Sequence, residues 1–251
     1  MAVSQQLLLN PDFKVIGFTG GKGRNYLLNL LAAELVHTGK KVIISNIGKD
    51  VLAPSGHILY QKDESKLLKE IKKEISKHPL IYAGTELKDY MISGISYKVI
   101  TELKSSSICD HLLLILGNEE KRTIFSKREI SSISQMNFLD ELVYCFQLDL
   151  IDQPLDTNIV SRPDELLKRF PKYKTRKSLH QDLIINYLSD EKNGAVRLFQ
   201  QKWPAFLIFT DINNVFLENR SINLTRDLVD SPIDRIYRAN LKDNMIIRMS
   251  K

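Results

Sequence analysis

Cysteine is scarce, with only Cys109 and Cys145 in 251 residues. Two distant thiols supply neither a disulfide framework nor a Cys-x-x-Cys metal signature, and they suit a reducing cytoplasm. Long apolar runs are missing too. No uninterrupted stretch approaches the roughly 20 residues that a membrane-spanning helix needs. The first ten residues contain Leu7-Leu8-Leu9 but no basic flank and no signal-length core, so no leader is expected there. Internal repeats, low-complexity tracts and Gly/Ser-rich linkers are absent. A single wound α/β domain over residues 1–251 is the economical organisation.

What is present is ample apolar material and a basic balance. Hydrophobic residues make up 43% of the chain, enough for a packed core. Lysine and arginine number 36 against 30 acids, a net charge of +6. That balance favours anionic partners such as nucleotides, phosphorylated cofactors or nucleic acid without choosing among them.

The chain is organised around Lys14 to Leu28. An apolar strand candidate, Lys14–Thr19, enters a turn holding Gly20, Gly21 and Gly23, and a helix candidate follows over Tyr26–His37. Strand, glycine-rich loop and helix in that order are the setting of a phosphate-binding loop. Glycines let backbone N–H groups approach an anion, and the helix adds the positive end of its dipole. Such loops usually end Gly-Lys-Ser/Thr, with lysine on the phosphates and the hydroxyl on Mg²⁺. Here the tripeptide is Gly23-Arg24-Asn25, which keeps a cation and loses the hydroxyl. The competing reading is a tight βα connection that binds nothing.

Downstream, Leu27, Leu28, Leu31, Leu35 and Val36 form one apolar stripe, and Gly39 suits a helix C-cap. Lys41–Ser45 reads as the second strand of a right-handed βαβ unit. His57–Tyr60 and Leu80–Ala83 are further strands. Glu64–His78 is a helix with Leu67, Leu68, Ile71 and Ile75 inward and a lysine-rich outer face, and Ser96–Ser105 is another. His111–Leu116 is continuously apolar, as a parallel strand covered on both faces would be. Polar residues after it, Gly117-Asn118-Glu119-Glu120, are either site candidates at a strand's carboxyl end or an ordinary turn. Leu142–Phe146 and Ala205–Thr210 are strands. Ser161 is an N-cap candidate before Arg162 and Pro163, and Arg162 is either an anion ligand or a surface residue. Lys168–Lys177 is the most basic patch and interleaves Phe170 and Tyr173. It reads as a solvated loop, since no nucleic-acid module surrounds it. Gln181–Ser189, Gly194–Gln200 and Asn223–Val229 are helical candidates. Arg235–Ala239 and Met245–Arg248 close the chain as strands.

These strands and loops resemble the selenium-dependent molybdenum-hydroxylase accessory proteins, the YqeC-like family, which look like P-loop NTPases. Gly20–Tyr26 occupies the place of the family's Gly-Ala-Gly-Gly-Lys-Thr-Thr-like loop. Gly39-Lys-Lys-Val42 matches its second strand, and Ser45-Asn46-Ile47 stands where the family has threonines. Leu114–Glu119 corresponds to a strand running into Glu-Ala-Asp-Gly. Ser161-Arg162-Pro163-Asp164 corresponds to a His-Arg-Pro-Glu-like motif, and Phe206–Asn213 to a strand followed by Asn-x-x-Asp. The order covers most of the chain, and each match is loose. The departures fall on chemistry: Arg24 for the loop lysine, Asn25 for the hydroxyl, Asn118 for an acid and Ser161 for the histidine.

The resemblance implies a P-loop-NTPase-like three-layer α/β sandwich with a mostly parallel central sheet. It implies an accessory role in maturing a molybdenum hydroxylase or its cofactor, with ATP or GTP as candidate ligands. The residues expected to contact a phosphate-containing molecule are Gly20, Gly21, Lys22, Gly23, Arg24, Asn25, Asn118 and Arg162. Loss of a hydroxyl and a carboxylate leaves Mg²⁺ without its usual ligands, so hydrolysis is expected to be lost. Two rivals stand beside this reading. One is an active NTPase, or an ATP-using enzyme like the Mur-type amide ligases, whose loop Phe18–Asn25 is similar to. The other is a non-catalytic interaction protein whose loop is only a turn. Neither a membrane nor a nucleic-acid partner is expected.

Overall fold

The computed structural model describes residues 10, 12–47, 51–52, 56–117, 122–175, 177–192 and 194–249. A short leading helix over residues 1–12, which the Asn10-Pro11 stop suggests, falls almost entirely outside the described residues, as does the polar segment 118–121 with Asn118. The fold is α/β, with mostly parallel strands and connecting helices. Among the described residues no helix is long and apolar enough to cross a membrane. The residues group into two compact units interleaved along the chain: 1–19, 25–118 and 138–141 in the first, and 20–24, 119–137 and 142–251 in the second.

In the first unit β1 (Val15–Gly20, its last residue in the second unit) leads to α1 (Arg24–His37, from Asn25 onward), β2 (Val42–Ile47), β3 (Val51–Leu52) and β4 (His57–Tyr60). Then come α2 (Glu64–Glu74), β5 (Leu80–Gly84), β6 (Glu86–Lys88), β7 (Met91–Ser93), α3 (Tyr97–Ser105) and β8 (His111–Leu116). Five strands run in the order β1-β8-β2-β5-β4, all parallel. Val15 faces Leu112 and Phe18 faces Ile115, the parallel pairing expected of these two apolar runs. Every residue of β8 is buried, which explains why it carries no polar alternation. The short β3, β7 and β6 form an antiparallel set that the sequence does not announce.

The amphipathic α2 buries Leu67, Leu68 and Ile71, while its lysine face lies in solvent. Asp63 caps it, its carboxylate accepting the Ser65 and Lys66 amides, an arrangement worth about 1 kcal/mol. The helix stops at Glu74, short of the expected His78. The amides of Lys77 and His78 both turn onto the Glu74 carbonyl, and Pro79 disfavours helical backbone at His78. In α1, Leu27, Leu28 and Leu31 are buried as expected, but Leu35 and Val36 are only half-buried.

The second unit contains α4 (Lys127–Ser134), β9 (Glu141–Gln147, from Leu142 onward), α5 (Pro163–Arg169) and α6 (Gln181–Ser189). It continues with β10 (Ala205–Thr210), α7 (Val215–Asp227), β11 (Ile236–Asn240) and β12 (Met245–Arg248). β9, β10 and β11 are parallel neighbours, and β12 closes the edge antiparallel to β11. Three expectations change here. Arg162, not Ser161, stands at the start of α5, because the Ser161 amide is tied to the Ile124 carbonyl and Pro163 takes the first helical position. The last helix begins at Val215 rather than Asn223, since the Asn214 side chain accepts the Leu217 amide. Residues 194–200 give only a short 3₁₀ turn, Ala195–Leu198.

Candidate functional site

The second unit holds the loop Gly20–Arg24 at the carboxyl ends of its parallel strands, where α/β folds place ligands. Gly20 has φ +96°, and a Cβ there would lie 2.0 Å from the Cys145 carbonyl oxygen. No side chain fits, so the backbone runs directly against β9 and the Gly21 amide donates to that same carbonyl at 2.8 Å. Gly21 is equally confined, because the Thr123 hydroxyl occupies the space a Cβ would need, 2.1 Å from it. Gly23 has φ +100°. Gly20 is therefore required by contact as well as conformation, Gly21 by contact and Gly23 by conformation.

Four residues that sequence reasoning did not select surround this loop. The Thr210 hydroxyl, at the end of β10, donates to the Lys22 carbonyl at 2.8 Å. Asp211, the next residue, adopts φ +62° and places its carboxylate 3.7 Å from the exposed Lys22 ammonium. Gln147, at the end of β9, is buried beside Gly21. Thr123 is wholly buried, and its hydroxyl has no hydrogen-bond partner among the described residues. Buried hydroxyls are normally bonded, and an unbonded one costs about 1–3 kcal/mol. The available signal was positional: Gln147, Thr210 and Asp211 follow directly from two strands at their carboxyl ends. Thr123 gave no signal, because only tertiary folding brings it to Gly21.

Thr123 is held by a tyrosine relay. Tyr144 donates its hydroxyl to the Thr123 carbonyl, and its oxygen lies 3.2 Å from the Tyr187 hydroxyl. Tyr187 in turn accepts the Phe125 amide. Burial holds the Tyr144 phenol well above its ordinary range and pushes Tyr187 up to about 12. Both stay neutral near pH 7 and act as fixed hydrogen-bonding groups.

The charges of the loop are unevenly placed. Arg24 is 4% exposed, and its Nη1 donates to the Gly20 carbonyl at 3.3 Å. The guanidinium folds back inside the turn. Lys22 is the outward cation. The amides of Lys22 and Gly23 make no backbone hydrogen bond among the described residues. Two amides without backbone partners and an ammonium in one loop are donors of the kind that suit an anion.

The remaining expected site residues are dispersed. Asn25 belongs to the first unit, where its carbonyl accepts the Asn29 carboxamide at 2.8 Å. Arg162 is exposed and lies 3.8 Å from Glu165 within its own helical turn. In the basic stretch Lys168–Lys177, Phe170 and Tyr173 are buried. That stretch offers charge without the aromatic faces on which bases stack.

The fold and site define an α/β protein with parallel strands and a crowded glycine loop at their carboxyl ends. No family model matches the chain. It is similar over 73 residues, at 30% identity, to the probable polyketide synthase 26 of Dictyostelium discoideum. The match covers 29% of this chain and 3% of that protein, so the chain spans a small fraction of that relative's length.

Proposed function

We propose that this chain is a P-loop-like protein that binds a phosphate-bearing small molecule at Gly20–Arg24 and has lost hydrolysis. The observation that carries the reading is the pair of Lys22 and Gly23 amides, without backbone partners among the described residues, in the loop whose Gly21 meets the buried Thr123 hydroxyl. Backbone amides do most of the cradling in such loops. ATP or GTP is the candidate ligand class, held through its phosphates. The resemblance to the molybdenum-hydroxylase accessory family supplies the biological role, maturation of a molybdenum enzyme or its cofactor, as an inference by analogy.

Calorimetry with pyrophosphate, ATP and GTP tests this. The native protein should bind at least one of them at millimolar concentration or tighter, and Lys22→Ala should weaken that binding by several-fold. Turnover should fall far below the roughly one per second that is ordinary for active enzymes. A Mg²⁺-dependent rate of that order would instead support the active NTPase.

A second reading has its own observation. The Gly21 amide is already bonded to the Cys145 carbonyl, and the buried Arg24 guanidinium donates to the Gly20 carbonyl. Those contacts suit a loop kept only as a connection in an interaction protein. Absence of binding by all three ligands would select it.

A further inference from the structure

The first unit carries a second cluster of chemistry-bearing side chains, unrelated to the glycine loop. His57 opens β4, the edge strand of the parallel set. Glu74 ends α2, and His78 follows four residues later, before β5. One ligand-capable atom from each of the three lies within 4.8 Å of the others. The His78 Nε2 is 4.0 Å from a Glu74 carboxylate oxygen, and the two imidazoles stack with centroids 3.9 Å apart.

We propose that His57, Glu74 and His78 form a binding site for a divalent transition metal of the zinc class. Two imidazole nitrogens and one carboxylate are a donor set that such ions prefer. Metal–ligand bonds of about 2.0–2.2 Å give a tetrahedral ligand spacing of roughly 3.3–3.6 Å, shorter than the 4.0 Å between His78 Nε2 and Glu74, so the ligands must close on the ion. The rings must tilt from their 9° interplanar angle so that both in-plane lone pairs converge. His57 Nε2 is already buried and unbonded among the described residues, and coordination would satisfy it.

The chain already holds two of the ligands together. The His78 amide donates to the Glu74 carbonyl at 2.9 Å, which fixes two ligands on one turn. His57 comes from the neighbouring strand, so an ion here would pin the edge strand to the end of α2. Lys73 and Lys77 stand 3.8 and 3.3 Å from the other Glu74 oxygen and are largely exposed. Their charge opposes a cation, and their exposure lets them swing into solvent. The expected affinity is therefore micromolar rather than the tighter range of all-thiolate sites.

Zn²⁺ calorimetry on the full chain, repeated with Co²⁺ by visible absorption, tests the proposal. One ion per chain should bind, with tetrahedral Co²⁺ colour. His57→Ala and His78→Ala should each weaken binding at least ten-fold, while His37→Ala should leave it unchanged. His78 is exposed, so its variant should fold even if His57→Ala does not. Absence of binding at millimolar Zn²⁺, or affinity unchanged in His78→Ala, would overturn the assignment.

Discussion

Two glycine turns bracket α1, and they use the residue for different reasons. After the helix, Gly39 has φ +83° and nothing within 4 Å of where a Cβ would stand. Its amide bonds to the Val36 carbonyl and the Lys40 amide to the Leu35 carbonyl, the two bonds of a Schellman cap. Before the helix, Gly20 has a similar φ but faces the Cys145 carbonyl at 2.0 Å from an added Cβ. Gly39 answers a conformational need alone. Gly20 answers conformation and close backbone approach together, and that second demand marks a place where the fold brings polar groups into a confined space.

The comparison breaks first under Gly20→Ala. The clash is with backbone, which cannot swing aside, so the loss of stability should reach about 3 kcal/mol or more. Urea denaturation checks this, and a loss no greater than that of Gly39→Ala would remove the distinction. Gly39→Ala should cost only about 1 kcal/mol, with Gly39→Asn recovering part of it, because asparagine tolerates left-handed backbone.

A pH scan sharpens the contrast by probing a tight spot in the first unit. His111 is 3% exposed, and its Nδ1 lies 3.0 Å from the Phe13 carbonyl, which requires the proton on Nδ1. Burial lowers its pKa below the ordinary value near 6.5. The unfolded chain therefore binds a proton more readily. The stabilising contribution is fully present above about pH 6.5 and is lost as pH falls from there toward the folded value. Thermal melts from pH 7.5 to 5 should show this decline, and His111→Gln should flatten it. An equal decline in the variant would assign the effect to other groups.

The smallest expected signal is thiol reactivity. Cys109 and Cys145 are both buried, and burial pushes the Cys109 thiol up to about 11. Neither should react with iodoacetamide at pH 8 until the protein unfolds. Mass spectrometry resolves the two sites. Faster labelling at Cys145 than at Cys109 would show that β9 beside the glycine loop opens independently, contrary to the crowding described for Gly20.

Much of the parallel architecture was legible in the sequence because continuous apolar runs such as His111–Leu116 leave little choice of environment. The loop was legible from its order, strand then glycines then helix. Other elements were hidden for particular reasons. Helix α4 is short, and its signal is the Ser126-x-x-Glu129 capping box, whose two reciprocal bonds are formed. The start of α7 was obscured because Val215 and Phe216 are 71% and 62% exposed, so its apolar residues do not mark its buried face. Within the site, spacing located the glycines but not their surroundings. The Thr123 hydroxyl at Gly21 and the inward fold of Arg24 depend on tertiary contacts that no local pattern encodes.

The most direct test of the loop as an anion cradle is a pyrophosphate titration followed by backbone amide NMR of ¹⁵N-labelled protein. The account predicts saturable shifts at Lys22 and Gly23, larger than at Gly21, whose amide is held by Cys145, with the same titration weakened several-fold in Thr123→Val. Unmoved Lys22 and Gly23 resonances at millimolar pyrophosphate would contradict it.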